Sequence, residues 1–252
     1  MHARHIRTLA FIVFIVSCLP GARALATAST HIWAPSTDVQ PFNVWHVTSD
    51  LYLALERDAA GSRIPTVTNL GVTVGILPTK RLNAEVGFDH KSGLGALDDY
   101  PMYGNVKIGI PENAFGRFFP AIAAGAFDVG TKSERTDYNV IYAKAAKTFS
   151  AGGVSLGRLS AGWFAGNEKL LLDGRGEKDA SGLLAAWERT MTEISDKLWV
   201  CLEYMGTESA YGTISVGASW KFAGNVSVIA GYDMFNNDDL VDAATIQVDI
   251  DI

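Results

Sequence analysis

The sequence predicts an all-β fold, a twelve-stranded antiparallel transmembrane β-barrel, and three observations lead there. Apolar and polar side chains alternate with period two in segment after segment, while helical periodicity is almost absent. The connections between these segments alternate between short and long. The aromatic residues of the apolar face gather at the ends of the segments, away from their middles.

Twelve strand segments follow one another at 43–57, 66–77, 80–90, 101–110, 118–128, 136–149, 154–165, 180–190, 197–206, 211–222, 225–234 and 243–252. An even number is what a single-chain bacterial barrel with both ends on one side requires. In the first, Val47, Leu51, Leu53 and Leu55 oppose His46, Thr48, Asp50, Tyr52 and Glu56. The third sets Leu82, Ala84, Val86 and Phe88 against Asn83, Glu85, Gly87 and Asp89. The fifth and sixth, with AIAAGAF and YNVIYAKAAK, carry small or mixed residues on both faces, so neither face is assigned there. The ninth sets Leu198, Val200, Leu202 and Tyr204 against Trp199, Cys201 and Glu203; the tenth sets Ile214, Val216, Ala218 and Trp220 against Thr213, Ser215, Gly217 and Ser219. In the last, TIQVDIDI, Ile246, Val248, Ile250 and Ile252 alternate with Thr245, Gln247, Asp249 and Asp251.

Alternation alone fits a soluble barrel turned inside out, and the connections and aromatics decide the orientation. Pro78-Thr79, PENAFGR, SAGG, TEISDK and Ala223-Gly224 are short, whereas KSGLGALDDY, NEKLLLDGRGEKD and NNDDLVD are longer or more polar. Short turns on one rim and long loops on the other are the asymmetry of an outer-membrane barrel. Trp45, Phe149, Trp187, Trp220 and Phe222 fall near the short-turn rim, and Phe88, Trp163, Tyr204 and Tyr232 near the long-loop rim, the two levels that a bilayer's interfaces select.

Residues 1–26 have the form of a cleavable secretory signal: Arg4 and Arg7, the apolar run LAFIVFIVSCL, then small-residue sites ending at Ala26. Cys18 offers only a marginal lipoprotein site. Cleavage removes three arginines and no acid, taking the net charge from −6 to about −9, and leaves no basic patch for nucleic acid. Cys201 is then the only cysteine, so no internal disulfide is expected. Residues 27–42 are expected to form a periplasmic N-terminal segment, and 43–252 the barrel.

With that pattern in view, EVGFD, GTKSERTDYNV, AAWERTMTEISDKLW and NVSVIAGYD resemble bacterial outer-membrane β-barrel proteins of the porin-like kind. The resemblance implies a location in the Gram-negative outer membrane, contact with its lipid and lipopolysaccharide, and insertion by the barrel-assembly machinery. TIQVDIDI is similar to the C-terminal assembly signal of such barrels, except that it ends in Ile252 instead of an aromatic.

The residues expected to line the lumen are Asp50, Glu56, Glu85, Asp89, Glu188, Glu203, Asp233, Asp249 and Asp251 with Lys107, Arg158 and Lys221; the face of Lys144 is left open. Glycines 71, 75, 87, 162, 182, 217 and 231 lie among them and are expected to leave space. The expected function is a narrow passive channel for small polar or cationic solutes, since an excess of acids raises the local cation concentration. The alternative is a structural or surface-interaction barrel with an occluded lumen, acting through its loops, chiefly 167–179.

A third reading starts from His90-Lys91-Ser92-Gly93, which resembles the His-x-Ser core of outer-membrane phospholipase A; an orienting group on a neighbouring strand is missing, and no enzyme is expected. Asp238, Asp239 and Asp242 lack EF-hand spacing, the histidines lack metal-ligand spacing, and neither metal nor cofactor is expected.

Overall fold

The computed structural model describes residues 30–57 and 61–252; the signal sequence predicted at 1–26 lies outside them. All twelve expected strands form: β1 (Trp45–Ala54), β2 (Val67–Gly75), β3 (Asn83–Ser92), β4 (Met102–Ile110), β5 (Ala121–Gly130), β6 (Val140–Ala151), β7 (Val154–Ala165), β8 (Ser181–Thr190), β9 (Leu198–Met205), β10 (Thr213–Ala223), β11 (Val226–Phe235) and β12 (Ala243–Asp251). Each pairs antiparallel with its sequence neighbour, and β12 returns to β1, so the sheet is a closed barrel. A strand of ten residues, rising about 3.3 Å each and tilted by about 40°, spans about 25 Å, the height of a barrel's apolar band.

The seam runs from His46 opposite Asp251 to Ala54 opposite Ala243. Trp45 and Ile252 exchange both of their backbone hydrogen bonds, at 2.9 and 2.7 Å, so pairing continues to the last residue. His46 Nδ1 lies 2.8 Å from Asp251 Oδ1 and fastens the seam from inside.

The outer face is apolar around the circumference. Leu51, Leu70, Val86, Val106, Ile122, Ile141, Leu159, Leu183, Leu202, Val216 and Ile246 are all exposed large hydrophobics. Trp45, Phe149, Trp220 and Phe222 are exposed toward the short-turn rim, and Phe88, Trp163 and Tyr204 toward the long-loop rim. A contiguous apolar girdle of this extent is incompatible with water and fits hydrocarbon, with aromatic rings at the two interfaces. At the short-turn rim, Lys147 Nζ lies 2.9 Å from Glu112 and 2.7 Å from the carbonyl of Arg117, closing the β4–β5 turn onto β6. Partial burial of Glu112 is outweighed by hydrogen bonds from Lys147 and Thr148, which hold its carboxyl below the usual carboxylate range.

The ambiguity of the fifth and sixth strands has a specific cause. In β5, Val129 pairs with Gly104 and Ala126 with Val106, so Phe127 and Asp128 together face the one residue Asn105: a β-bulge, with Asp128 at φ 51°. Ala121 and Ala123 point inward below the bulge, and Asp128 points inward above it although its parity is opposite. In β6, Val140, Tyr142, Lys144 and Ala146 are the buried set, which places Lys144 in the lumen.

Orientation gives a direct test. Leu202→Arg, at the middle of β9 on the outer face, is expected to lower stability by about 2–4 kcal/mol in lipid vesicles, read by denaturant unfolding. A barrel whose apolar surface faced no lipid would tolerate that charge, and an unchanged midpoint would refute the orientation.

Candidate functional site: a lumen divided by an N-terminal plug

The lumen face is charged. Asp50, Glu85, Lys107, Glu188, Glu203, Asp233 and Asp249 are buried, and Asp89, Arg158, Lys221 and Asp251 are partly buried. Glu56 departs from the expectation: β1 ends at Ala54, and Glu56 is exposed in the following loop.

The larger difference concerns residues 27–42, expected in the periplasm. Residues 30–40 run inside the barrel, and Pro41 and Phe42 are exposed where the segment joins β1. His31, Ile32, Ala34, Ser36, Thr37 and Gln40 are buried, although none belongs to a strand. An irregular backbone inside a barrel must find partners for its amides and carbonyls, and the wall supplies them. The tip is a tight reversal, in which the His31 amide donates to the Ala34 carbonyl at 3.0 Å and Thr30 bridges Pro35. The carboxylate of Glu203 sits in the concavity of that turn and accepts the amides of Ile32 (3.2 Å), Trp33 (2.5 Å) and Ala34 (3.3 Å). Successive amides converging on one anion form a nest, here with the anion on the wall.

Around this anchor every side of the plug is held. Gln247 Nε2 donates to the Ile32 carbonyl at 2.7 Å, and Trp33 Nε1 donates to the Tyr211 carbonyl at 3.0 Å. The indole of Trp33 meets Tyr52 and Phe235 edge-on at 5.4 and 5.6 Å. Lower down, Lys144 Nζ donates to the Pro35 carbonyl at 3.0 Å, and Arg158 Nη1 reaches both oxygens of Asp38 at 2.9 and 2.8 Å while Nη2 donates to Thr37. Lys107 Nζ donates to the Asp38 carbonyl at 2.8 Å and lies 3.2 Å from Glu85, which in turn accepts the Gln40 amide at 2.6 Å. Phe42 then bridges Gly75 beside the start of β1.

Some of the inner glycines are explained by this packing, whereas Gly71, Gly87, Gly162 and Gly182 meet the wall itself. A Cβ at Gly217 would come within 2.8 Å of Ile32 Cδ1, and one at Gly109 within 2.8 Å of Val39 Cγ2. The space that those glycines leave is occupied by the plug.

His31, Cys201 and Glu203 bring a nitrogen, a sulfur and an oxygen within 4.8 Å of one another, all buried. The chemistry of this group fits an anchor better than a metal site. Glu203 is already committed to three amides, His31 Nε2 lies 3.2 Å from Glu188, and the Lys144 ammonium sits 3.4 Å from His31 Nδ1, where it would oppose a dication. Cys201 is free and buried, a small side chain on the lumen face.

The remaining sequence candidates are taken up locally. Ser92 Oγ lies 2.6 Å from Thr68 Oγ1, and His90 is exposed on the outer face. Lys91 points inward and pairs with Asp128 at 2.5 Å. Asp242 accepts from Tyr232 Oη at 2.7 Å and from the Phe235 amide at 3.1 Å, binding its loop to the end of β11. In loop 167–179 Leu171 is fully buried, and Asp173 accepts the amides of Arg175 and Glu177 at 2.9 and 2.8 Å.

Beside the plug a cavity of about 630 Å³ remains, mainly against β1–β5. Its lining reaches from Ile64, Leu94, Leu97 and Leu240 among the long loops to His46, Thr73, Glu85, Lys107 and Asp249 in the short-turn half. It therefore extends over most of the barrel's height. On its wall Asp50 and Asp89 have no cation within 4 Å among the described residues and accept hydrogen bonds from Thr48, Asn69 and Asn105 instead.

Neither protein-family models nor curated proteins give a match to this chain. Among solved structures, an outer membrane channel from Pseudomonas putida F1 is similar with a TM-score of 0.48 and 12% identity, over 85% of this chain and 97% of that one. OmpF of Salmonella typhi, in complex with daunomycin, gives 0.42 and 8% over 83% and 96%, and Ail, the attachment invasion locus protein of Yersinia pestis, 0.19 and 9% over 83% and 95%. The fold is established by the closure of the sheet itself.

Removing the anchor should loosen the plug while leaving the barrel intact. Glu203→Ala strands three buried amides, a loss of about 3 kcal/mol. Hydrogen exchange at the amides of Ile32, Trp33 and Ala34 should accelerate by roughly a hundredfold, with the strand amides of β1 and β12 unchanged. Equal acceleration everywhere would mean that Glu203 supports the whole sheet and not the plug.

Proposed function

We propose that the chain is an outer-membrane barrel working as a narrow, cation-preferring passive channel, its conducting path being the cavity between the plug and the β1–β5 wall. The observation that carries this reading is the vertical extent of that cavity along a wall where Asp50 and Asp89 have no cation within 4 Å among the described residues. Twelve strands lie between the barrels of about 8 that side chains fill and those of 16 to 18 that leave an open channel. The plug narrows this one further, so hydrated monovalent cations and small polar solutes would pass slowly. Fixed carboxylates facing a low-dielectric wall concentrate cations and exclude anions without any chemical step. The outer membrane is proposed from the export signal and the rim asymmetry. Lipid and lipopolysaccharide would then surround the girdle, and the barrel-assembly machinery would insert the chain.

The plug also favours a second reading, an occluded barrel acting through its loops. Loop 167–179 is a poor adaptable surface for that purpose, because Leu171 is fully buried and the Asp173 turn is rigidly hydrogen-bonded.

Planar-bilayer recording separates the two. The full chain is expected to conduct with a reversal potential in a salt gradient that reports cation preference, and deletion of residues 30–41 is expected to raise the unit conductance severalfold. Absence of current from both forms would end the channel reading.

A further inference from the structure

The cavity has two chemically different parts, and together they define a ligand. In its outer half the lining is largely aromatic and aliphatic, with Trp33, Tyr52, Phe127, Tyr211, Leu97 and Leu240 beside the charged Arg57 and Asp239. Beneath these rings lies a row of hydrogen-bond acceptors. Asn69 Nδ2 donates to Asp50 Oδ2 at 2.9 Å and to Asp89 Oδ1 at 3.3 Å, and Asn105 Nδ2 donates to Asp89 Oδ2 at 2.9 Å. With both Asn69 donor bonds spent on the carboxylates, its Oδ1 is left buried with no partner. The hydroxyl of Tyr103, a cavity-lining residue only 1% exposed, is also buried with no partner.

We propose that this cavity is a binding site for amphipathic organic cations, a primary ammonium group attached to an aromatic or aliphatic body. An ammonium has three donors and no acceptor, which complements the two carboxylates and the Asn69 oxygen, with the unpartnered Tyr103 hydroxyl a further acceptor in the same lining. The apolar body would lie against the outer rings, where cation–π attraction and area burial both favour it. The nearest resident ammonium, Lys91, is paired with Asp128 at 2.5 Å and lies over the Tyr103 ring, so it forms no salt bridge with Asp50 or Asp89. Glu85 and Lys107 are a matched pair deeper in the cavity. About 630 Å³ is within the range of small-molecule sites. The inference rests on the channel reading for its role in transport, because it names the class of solute, but the site itself stands on the cavity alone.

The test is isothermal titration of the purified full chain in detergent micelles, corrected for empty micelles, with 2-phenylethylammonium, 2-phenylethanol and methylammonium. Saturable binding of 2-phenylethylammonium is expected, with the uncharged alcohol and the bodiless ammonium each at least about tenfold weaker, the difference that one charge-assisted contact makes. D50N and D89N, which keep side-chain size, should each weaken the ammonium by about tenfold. Y103F, which changes no charge, should weaken it severalfold. Alcohol and ammonium binding equally, or an ammonium affinity unmoved by all three variants, would overturn the site. Current without binding would sink the site and spare the channel; binding without current would do the reverse.

Discussion

Every other feature of this molecule depends on the closure of β12 onto β1. A sheet whose outer surface is hydrocarbon-like has no water on that side to satisfy an edge, so each backbone donor and acceptor must be met by another strand. The seam runs through nine residue pairs and ends with the mutual bonds of Trp45 and Ile252. Closure then fixes the inside. With twelve strands the diameter is too large for wall side chains to fill and too small to be left as a wide water column. Something has to occupy it, and the chain supplies its own N-terminal segment.

The plug solves a problem of polarity as well as one of volume. A strap without secondary structure carries bare amides and carbonyls, which burial alone would make costly. The lumen wall is polar because it alternates with the lipid face, so it already carries the groups that such a strap needs. Glu203 takes three amides, Gln247, Lys144 and Lys107 each take a carbonyl, and Arg158 takes a side-chain carboxylate. Glycines at 109 and 217 let Val39 and Ile32 approach the wall, so even the apolar contacts depend on the smallest residue being on the inner face.

How much of this the sequence exposes can be argued residue by residue. Strand number, pairing order and orientation were legible because alternation of period two, loop length and rim aromatics are local signals, each readable without knowing what lies across the barrel. The inner positions expected for Asp50, Glu85, Lys107, Glu188 and Asp249 rest on parity alone. β5 was not legible because its bulge at Phe127–Asp128 puts two consecutive residues on the same side, which parity cannot represent. Glu56 was misplaced because β1 stops at Ala54, two residues before it. The plug was missed for a deeper reason: its conformation is dictated by distant partners, with Ile32 and Glu203 separated by 171 positions. The apolar island His31-Ile32-Trp33-Ala34-Pro35, ahead of the first strand, together with glycines crowding one face, was the available sign. Of those glycines, Gly75, Gly217 and Gly231 border the plug.

The plug also determines the electrostatics of what remains open. Of the lumen bases, Lys107, Lys144 and Arg158 are all turned toward residues 35–38, and His31 is drawn between Glu188 and Glu203. Lys91 is held by Asp128 at the bulge. The wall acids that face away from the plug, Asp50 and Asp89, are left with only neutral amide and hydroxyl donors. A barrel with the same wall but no plug could swing those long basic side chains across the lumen and pair them with the acids. With the plug in place each is tethered to the strap, and the cost of moving it is the loss of a buried contact there. The negative character of the residual cavity is therefore not a property of the acid count alone. It arises because the N-terminal segment sequesters the cations, so the same element that narrows the lumen also sets the sign of the charge a solute meets there.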